Sequence, residues 1–480
     1  MTRRTPLPRS TPEAQGVSSA ALLRLVDAMD TRLHDAHSVM VVRHGHVVAE
    51  GWWAPYSADA PHSMFSVSKS FTSAAVGFAV EEGLLGLDDR VVDLLPDDLP
   101  PVVSDNLAAM RVRHLLTMTT GHAVDTVSTV TDDEPDWAKT VLAQPVPLAP
   151  GSTFVYDTGA THLLSCILQR LTGARLLDYL TPRLLEPLGI TGATWERSPT
   201  GVDAGGWGLS ITTEDVAAFG LTYLDGGRWQ GRQVVPAHWV AESTAAQVPN
   251  ADGAPGSDWA QGYGYQFWRS RHGAYRADGA FGQVSIAFPE HDTLLVMTAG
   301  IGDMQTQLDV VWEHLVPAIG SATALPDDAA AVDALAARLS SLAITPPEGA
   351  PSSAASGRVS GRTYALPRNS AGLAAVALDE RGGSTTLVVL DADGEHTIAL
   401  GSGEWTRGRS SLLAEGETPI AAAGAWVDAA TYRARIIQTE TAFSVTISLD
   451  FSGDEVAVDV EQNVSFGPTR LLHTVGRSDR

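Results

Sequence analysis

The feature that most limits what this chain can fold into is a change of hydrophobic period near residue 350. Beyond that point Val445, Ile447, Leu449 and Phe451 follow Phe443 in strict alternation with polar neighbours. Ser452-Gly453-Asp454 then turns the chain, and Val456, Val458 and Val460 resume the pattern. A period of two puts every apolar side chain on one face of an extended strand. Arg381-Gly382-Gly383 and Asp391-Ala392-Asp393-Gly394 are earlier turn signals at similar spacing. Residues 357–480 therefore read as a small all-β barrel or sandwich with no catalytic constellation of its own. A Pro-, Gly- and Ser-rich stretch at 346–353 has the composition of a linker, and a short Ala-rich helix at 327–342 precedes it.

Ahead of the break the periods are mixed. Ser18-Ser19 caps a helical pattern in which Leu22, Leu25, Val26, Met29 and Leu33 recur at three- and four-residue spacing. Extended runs at 39–42 and 47–53 flank His44-Gly45, a hairpin signal. Residues 66–82 form an Ala-, Val- and Phe-rich helical stretch stopped by Gly83. Helical patterns broken by Pro and Gly fill 84–239, a second hairpin is expected over 283–298, and a helix over 305–319 closes the unit. This order predicts an α+β domain: an antiparallel sheet flanked by terminal helices, plus a mainly helical subdomain. The expected division is 1–325 for that domain, 326–356 for helix and linker, and 357–480 for the β domain.

Charge and composition narrow the function. A net charge of −24 with 32 basic residues lacks the cationic groove that nucleic acid or an anionic membrane surface rewards, so a neutral or cationic small molecule is the expected partner. No run of about 18 apolar residues suggests a spanning helix, and the first 16 residues lack the apolar core of a signal peptide, so the expected location is cytoplasmic. The single cysteine, Cys166, lies in an apolar helical stretch and reads as a packed residue. His44-Gly45-His46 sits in a turn with no further ligands, so neither a metal site nor a cofactor is expected.

The chemistry concentrates in Phe65-Ser66-Val67-Ser68-Lys69-Ser70. Ser-x-x-Lys at the start of a helix puts both side chains on one face. A serine hydroxyl needs a neighbouring base near pH 7, and an amine made less basic by burial can serve. In an ordinary composition such a pair arises by chance roughly twice in a chain of this length. Lys69 and Lys139 are the only lysines here, which lowers the chance expectation to about 0.16.

With this motif the sequence resembles the serine β-lactamase and penicillin-binding-protein superfamily, in particular its class C-like esterase and amidase branch, over roughly residues 10–320. Gly151-Ser152-Thr153-Phe154-Val155-Tyr156-Asp157-Thr158 is similar to the family's Tyr-x-Asn element, with Thr158 in place of Asn. The resemblance implies that Tyr156 is a second base, a phenolate stabilised by Lys69. Ala277-Asp278-Gly279 aligns with the family's Lys-Thr-Gly or His-x-Gly triad and lacks its cation, a deficit that Arg276 or His272 would have to make up. On this alignment Ser66 and Ala280 supply the backbone N–H groups of an oxyanion hole, while Thr158, Trp207, Asp278 and Gly279 line the substrate site. Trp207, Tyr263 and Trp268 are candidates for an aromatic acyl-group wall, and Asp125 with Asp132-Asp133-Glu134 reads as a solvated acidic loop.

The expected activity is a serine hydrolase forming an acyl-enzyme from small esters or amides. A D-amino-acid peptidase or β-lactamase, and a slowly acylating binding or sensor module, are the alternatives. A Ser-His-Asp hydrolase fits less well, because no Gly-x-Ser-x-Gly elbow is present. The β domain is compatible with covering the pocket, with stabilising the first domain, or with a homo-oligomer.

Overall fold

The structure is a computed structural model that describes residues 6–130, 134–250, 256–321, 323–414 and 416–478. Asp132 and Asp133 of the expected acidic loop lie outside the described residues. The chain divides into two compact units. The first comprises the residues up to Gly51, Pro61–Thr298 and Asp303–Ser340, and the second comprises Trp52–Ala60, Ala299–Gly302 and the chain from Ser341 onward.

The first unit is built on a six-stranded sheet in which Ala36–Arg43, second from one edge, is buried at every position. Its hairpin partner His46–Trp52 follows a two-residue turn in which His44 and Gly45 have φ of 50° and 72°, the left-handed pair that such turns need. Thr293–Ala299, Gln283–Phe288, Tyr275–Gly279 and Trp268–Arg269 continue the sheet on the other side, the last four strands pairing antiparallel. Helix Thr213–Leu224 packs on this sheet, and Gly220 admits it: a Cβ there would meet Ser285 Oγ at 2.7 Å and Leu294 at 2.8 Å. Ser19–Leu33 packs against Met304–His314 and Ala329–Ser340.

Two local expectations are corrected. Ser18 occupies the N-cap position of Ser19–Leu33 without a side-chain bond. The buried Glu13 takes over the capping, accepting from Ser19 N at 2.7 Å and Ser19 Oγ at 2.8 Å. The nucleophile helix is regular only over Ser68–Glu81; Ser66 belongs to a preceding 3₁₀ turn, Phe65–Val67. Because i and i+3 eclipse in a 3₁₀ turn, Ser66 and Lys69 still share a face. Ser68–Ala79 are all buried, so this helix is the axis of the helical part, packed against Thr158–Thr172 and Leu176–Leu180. Among the described residues no helix is long and apolar enough to cross a membrane.

The second unit carries one antiparallel sheet of ten strands from Thr363–Ala365 to Arg470–Ser478. Its edge strands, Glu395–Leu400 and Thr406–Ser410, are consecutive in sequence and lie close together, so the sheet is a nearly closed barrel. The inward row is the alternating one: Ile447 pairs with Val460, Leu449 with Val458 and Phe451 with Val456. Gly382 and Gly383, with φ of 60° and 83°, form a hairpin turn, and Asp391 Oδ1 closes another by accepting from Asp393 N at 2.9 Å. The segments of this unit that lie far apart in sequence are tied together by hydrogen bonds to backbone carbonyls. Ala54 N donates to Leu342 O at 3.0 Å, Ile344 N donates to Ala54 O at 2.8 Å, and Asn463 Nδ2 donates to Gly300 O at 3.1 Å.

Candidate active site

Ser66 is half-buried in its 3₁₀ turn, immediately after Phe65, whose φ is 46°. A bulky residue in the left-handed region costs energy that the surrounding packing must supply. Phe281, at φ 64° just past the strand Tyr275–Gly279, meets the Phe65 ring edge-on at 5.3 Å. Between these two residues Gly279 lies against the nucleophile turn. A Cβ at 279 would collide with Met64 O and reach within 3.2 Å of Ser66 N. Glycine is required here for close approach to the turn that carries Ser66, the role expected of it toward the substrate site.

Lys69 is 1% exposed. Its Nζ lies 2.8 Å from Ser66 Oγ, 2.7 Å from Gly206 O and 3.3 Å from Thr158 Oγ1. Burial lowers its pKa to about 7, against the opposing pull of Asp125 and Asp157. A neutral amine in contact with the serine hydroxyl is thus accessible near neutral pH, which suits a general base.

Tyr156 is half-buried and hydrogen-bonded to Ser66. Lys69 Nζ sits 5.0 Å from the centre of its ring, and Trp268 stacks on the ring at 5.4 Å and 20°. Burial pushes the Tyr156 pKa well above that of an ordinary phenol; the bond to Ser66 opposes this, and Asp278 and Asp125 add to it. Burial thus favours the neutral phenol over the phenolate that the resemblance implies.

Asp157, fully buried, anchors the turn between Tyr156 and the helix Thr158–Thr172. It accepts from His122 Nδ1 at 2.7 Å, Thr126 Oγ1 at 2.6 Å, Thr126 N at 3.1 Å and Thr120 Oγ1 at 3.3 Å. Burial would raise its pKa, but the bonds from His122 and Thr126 hold it below the usual carboxylate range. Gln266 adds a second brace: its carbonyl accepts from Ser70 Oγ at 2.7 Å and its side chain accepts from Thr161 Oγ1 at 2.7 Å.

The remaining expectations divide. Asp278 lies on the strand beside the nucleophile, 7% exposed, and accepts from Arg276 Nε at 2.6 Å. Arg276 is wholly buried, also bonded to Ser270 Oγ at 2.6 Å, with its guanidinium 5.0 Å from the Trp259 ring and 5.6 Å from Trp268. Its Nε is held by Asp278 and its Nη2 is buried without a partner among the described residues, so its charge faces a carboxylate inside the fold. His272, the other candidate for the missing cation of the triad, packs on Trp312 at 5.3 Å. The three wall aromatics do not form one group: Tyr263 and Trp268 cluster with Met118 and Phe154 behind Tyr156, whereas Trp207 stacks on Trp137 at 5.4 Å. Cys166 is buried with its Sγ 3.3 Å from His162 Nε2, and burial pushes its pKa up, as befits a packed thiol.

Two contributors were missed. Asp125 is no solvated loop residue: it is half-buried and accepts from Thr158 N at 2.8 Å and Thr158 Oγ1 at 2.9 Å. Gly206 supplies a carbonyl to Lys69, and a Cβ there would lie 2.9 Å from Thr158 O and 3.5 Å from Lys69 Nζ. The only sequence signal for Gly206 was the run Gly205-Gly206-Trp207-Gly208; for Asp125 there was none.

The chain is similar in sequence and in fold to known proteins. The beta-lactamase family matches residues 24–305 of this chain. The 6-aminohexanoate-dimer hydrolase of Paenarthrobacter ureafaciens is 28% identical over 311 residues, covering 59% of this chain and 79% of that protein. Lovastatin esterase of Penicillium rubens is 24% identical over 196 residues, so the match covers 36% of this chain and only 49% of the esterase. In fold, an octameric penicillin-binding-protein homologue from Pyrococcus abyssi superposes with a TM-score of 0.51 at 15% identity, over 95% of this chain and 99% of that one. With more than half its length matched and named hydrolases among its relatives, the chain belongs to the beta-lactamase family and is a serine hydrolase.

Proposed function

We propose that the protein hydrolyses small esters or amides through an acyl-enzyme on Ser66, with Lys69 as general base and Tyr156 as the proton donor to the leaving group. The observation that carries this is the 2.8 Å contact between Ser66 Oγ and a buried Lys69 whose pKa is near 7. In acylation Ser66 Oγ forms a bond to the carbonyl carbon and its proton passes to Lys69. The N–H groups of Ser66 and Ala280 are the proposed donors to the oxyanion, each worth roughly 10² to 10³ in rate. As the C–O or C–N bond breaks, the leaving group takes the Tyr156 proton, and Lys69 returns its proton to the phenolate. Deacylation repeats the cycle with water as nucleophile and Ser66 as leaving group.

The pairing of Arg276 with Asp278 supports neutral or cationic substrates over those bearing a carboxylate. Short acyl esters should therefore turn over faster than a chromogenic cephalosporin; equal kcat/KM for the two would remove that preference. A fluorophosphonate probe should label Ser66, and Ser66→Ala should abolish labelling and ester turnover together. Full turnover by Ser66→Ala sinks the mechanism, while a stable acyl adduct without turnover would make the protein a sensor.

A further inference from the structure

We propose that Asp125 is a positioning residue: through Thr158 it aims the lone pair of Lys69 at Ser66. The inference rests on the reading of Ser66 and Lys69 as nucleophile and base. A neutral primary amine has two N–H bonds and one lone pair, and Lys69 Nζ has three oxygen partners: Gly206 O at 2.7 Å, Ser66 Oγ at 2.8 Å and Thr158 Oγ1 at 3.3 Å. A carbonyl oxygen only accepts, so Gly206 takes one N–H. A hydroxyl can donate or accept. If Thr158 pointed its proton at Lys69, it would occupy the very lone pair that catalysis needs.

Asp125 removes that ambiguity. Its Oδ2 accepts from Thr158 Oγ1 at 2.9 Å, while its Oδ1 accepts from Thr158 N at 2.8 Å and from Val127 N at 3.0 Å. The hydroxyl proton is thereby committed to the carboxylate, and Thr158 faces Lys69 as an acceptor only. It takes the second N–H. The one direction left for the lone pair is toward Ser66 Oγ, whose proton it receives. A threonine can therefore stand where an asparagine amide would otherwise offer Lys69 an acceptor, provided a carboxylate holds its proton. The other groups that bear on Lys69 are Asp157, whose charge favours the ammonium, and the Tyr156 ring.

The test is the pH profile of kcat/KM for p-nitrophenyl acetate with wild type, Asp125→Asn, Thr158→Val, Thr158→Ser and Ser66→Ala. Values for the variants that keep Ser66 are normalised to the sites titrated by a fluorophosphonate at long times, so that only folded enzyme counts, and Ser66→Ala is normalised to protein concentration. Rate rises with pH as Lys69 loses its proton. In Asp125→Asn an NH₂ replaces one oxygen, and two changes are expected together. The alkaline plateau falls roughly 10- to 100-fold because the lone pair is misdirected. The acid limb moves to lower pH because a charge favouring the ammonium is gone. Thr158→Val, nearly isosteric, should lose a similar factor, and Thr158→Ser, which keeps the hydroxyl, should lose several-fold less than Thr158→Val. A shifted limb with an unchanged plateau in Asp125→Asn would reduce Asp125 to a charge effect and overturn the proposal. Equal losses in Thr158→Ser and Thr158→Val would overturn it as well. Turnover by Ser66→Ala would instead break the underlying assignment of the nucleophile.

Discussion

Around Ser66 the buried side chains include Lys69, Asp157, His122, Arg276 and Asp278, whereas the packed cluster inside the barrel is Tyr364, Trp426, Tyr432, Phe451 and a set of aliphatic residues. Both interiors are buried, but they solve burial differently. In the barrel most inward residues are aliphatic and do no more than remove apolar surface from water, while Trp426 also donates from its Nε1 to Glu380 at 2.8 Å. Around the nucleophile every buried charge needs specific partners, because an uncompensated one costs several kcal/mol. Asp157 has four hydrogen bonds from three residues, and Arg276 has Asp278, Ser270 and two tryptophan faces. Lys69 is the exception: its three oxygen partners are a carbonyl and two hydroxyls, none of them charged, so burial dominates its pKa. The comparison teaches that the barrel interior is chosen for packing and the Ser66 interior for protonation state.

The largest effect that would sharpen this contrast is expected from Lys69→Met. Ester turnover should fall by roughly 10³-fold or more, as for loss of the base of a nucleophile pair. Stability should move the other way, by roughly 1–4 kcal/mol in favour of the variant. The sign follows from the pKa, about 7 when folded and about 10.4 when unfolded. Between these values the unfolded chain binds more protons, so the burden of Lys69 is fully present below about pH 7 and fades toward pH 10. Urea unfolding should show a larger gain at pH 6 than at pH 10; a variant less stable at both would break the contrast.

Next in size, Asp157→Ala leaves donors on His122, Thr120 and Thr126 without their acceptor, and should cost roughly 3–5 kcal/mol in urea unfolding. It should also slow Ser66 labelling, since Tyr156 and Thr158 flank the lost anchor. In the barrel, Leu449→Ala removes a fully buried side chain paired opposite Val458. It should cost about 2–5 kcal/mol, with an unchanged rate of fluorophosphonate labelling below the unfolding transition; a slowed rate would show that packing and protonation are not separable. The smallest effect is expected from Ile447→Val, about 1 kcal/mol by calorimetry and no change in turnover.

The same contrast governs how much could be read from the sequence. The barrel strands were legible because alternation is a property of nearest neighbours: Val445, Ile447, Leu449 and Phe451 announce their own inward face. Ser66 and Lys69 were legible for a similar reason, since one turn of chain carries both. Barrel and sandwich could not be told apart, because closure depends on edge strands whose pairing no local pattern records. Ser18 has the chemistry of a cap, yet the side chain that bonds the start of the helix is Glu13, which accepts from Ser19 N.

By itself, the sequence determined where the apolar faces lie, where the β unit begins to alternate, and which serine has a lysine one turn away. Those features depend on residues within a few positions of each other, and local geometry is set by local chemistry. Only the tertiary structure decided which state each group is in. Asp125 became a holder of Thr158 because folding brings together positions 33 residues apart. Burial raises the Tyr156 pKa with Asp278 and Asp125 adding to it, and burial lowers that of Lys69 against the pull of Asp125 and Asp157, groups that distant segments deliver.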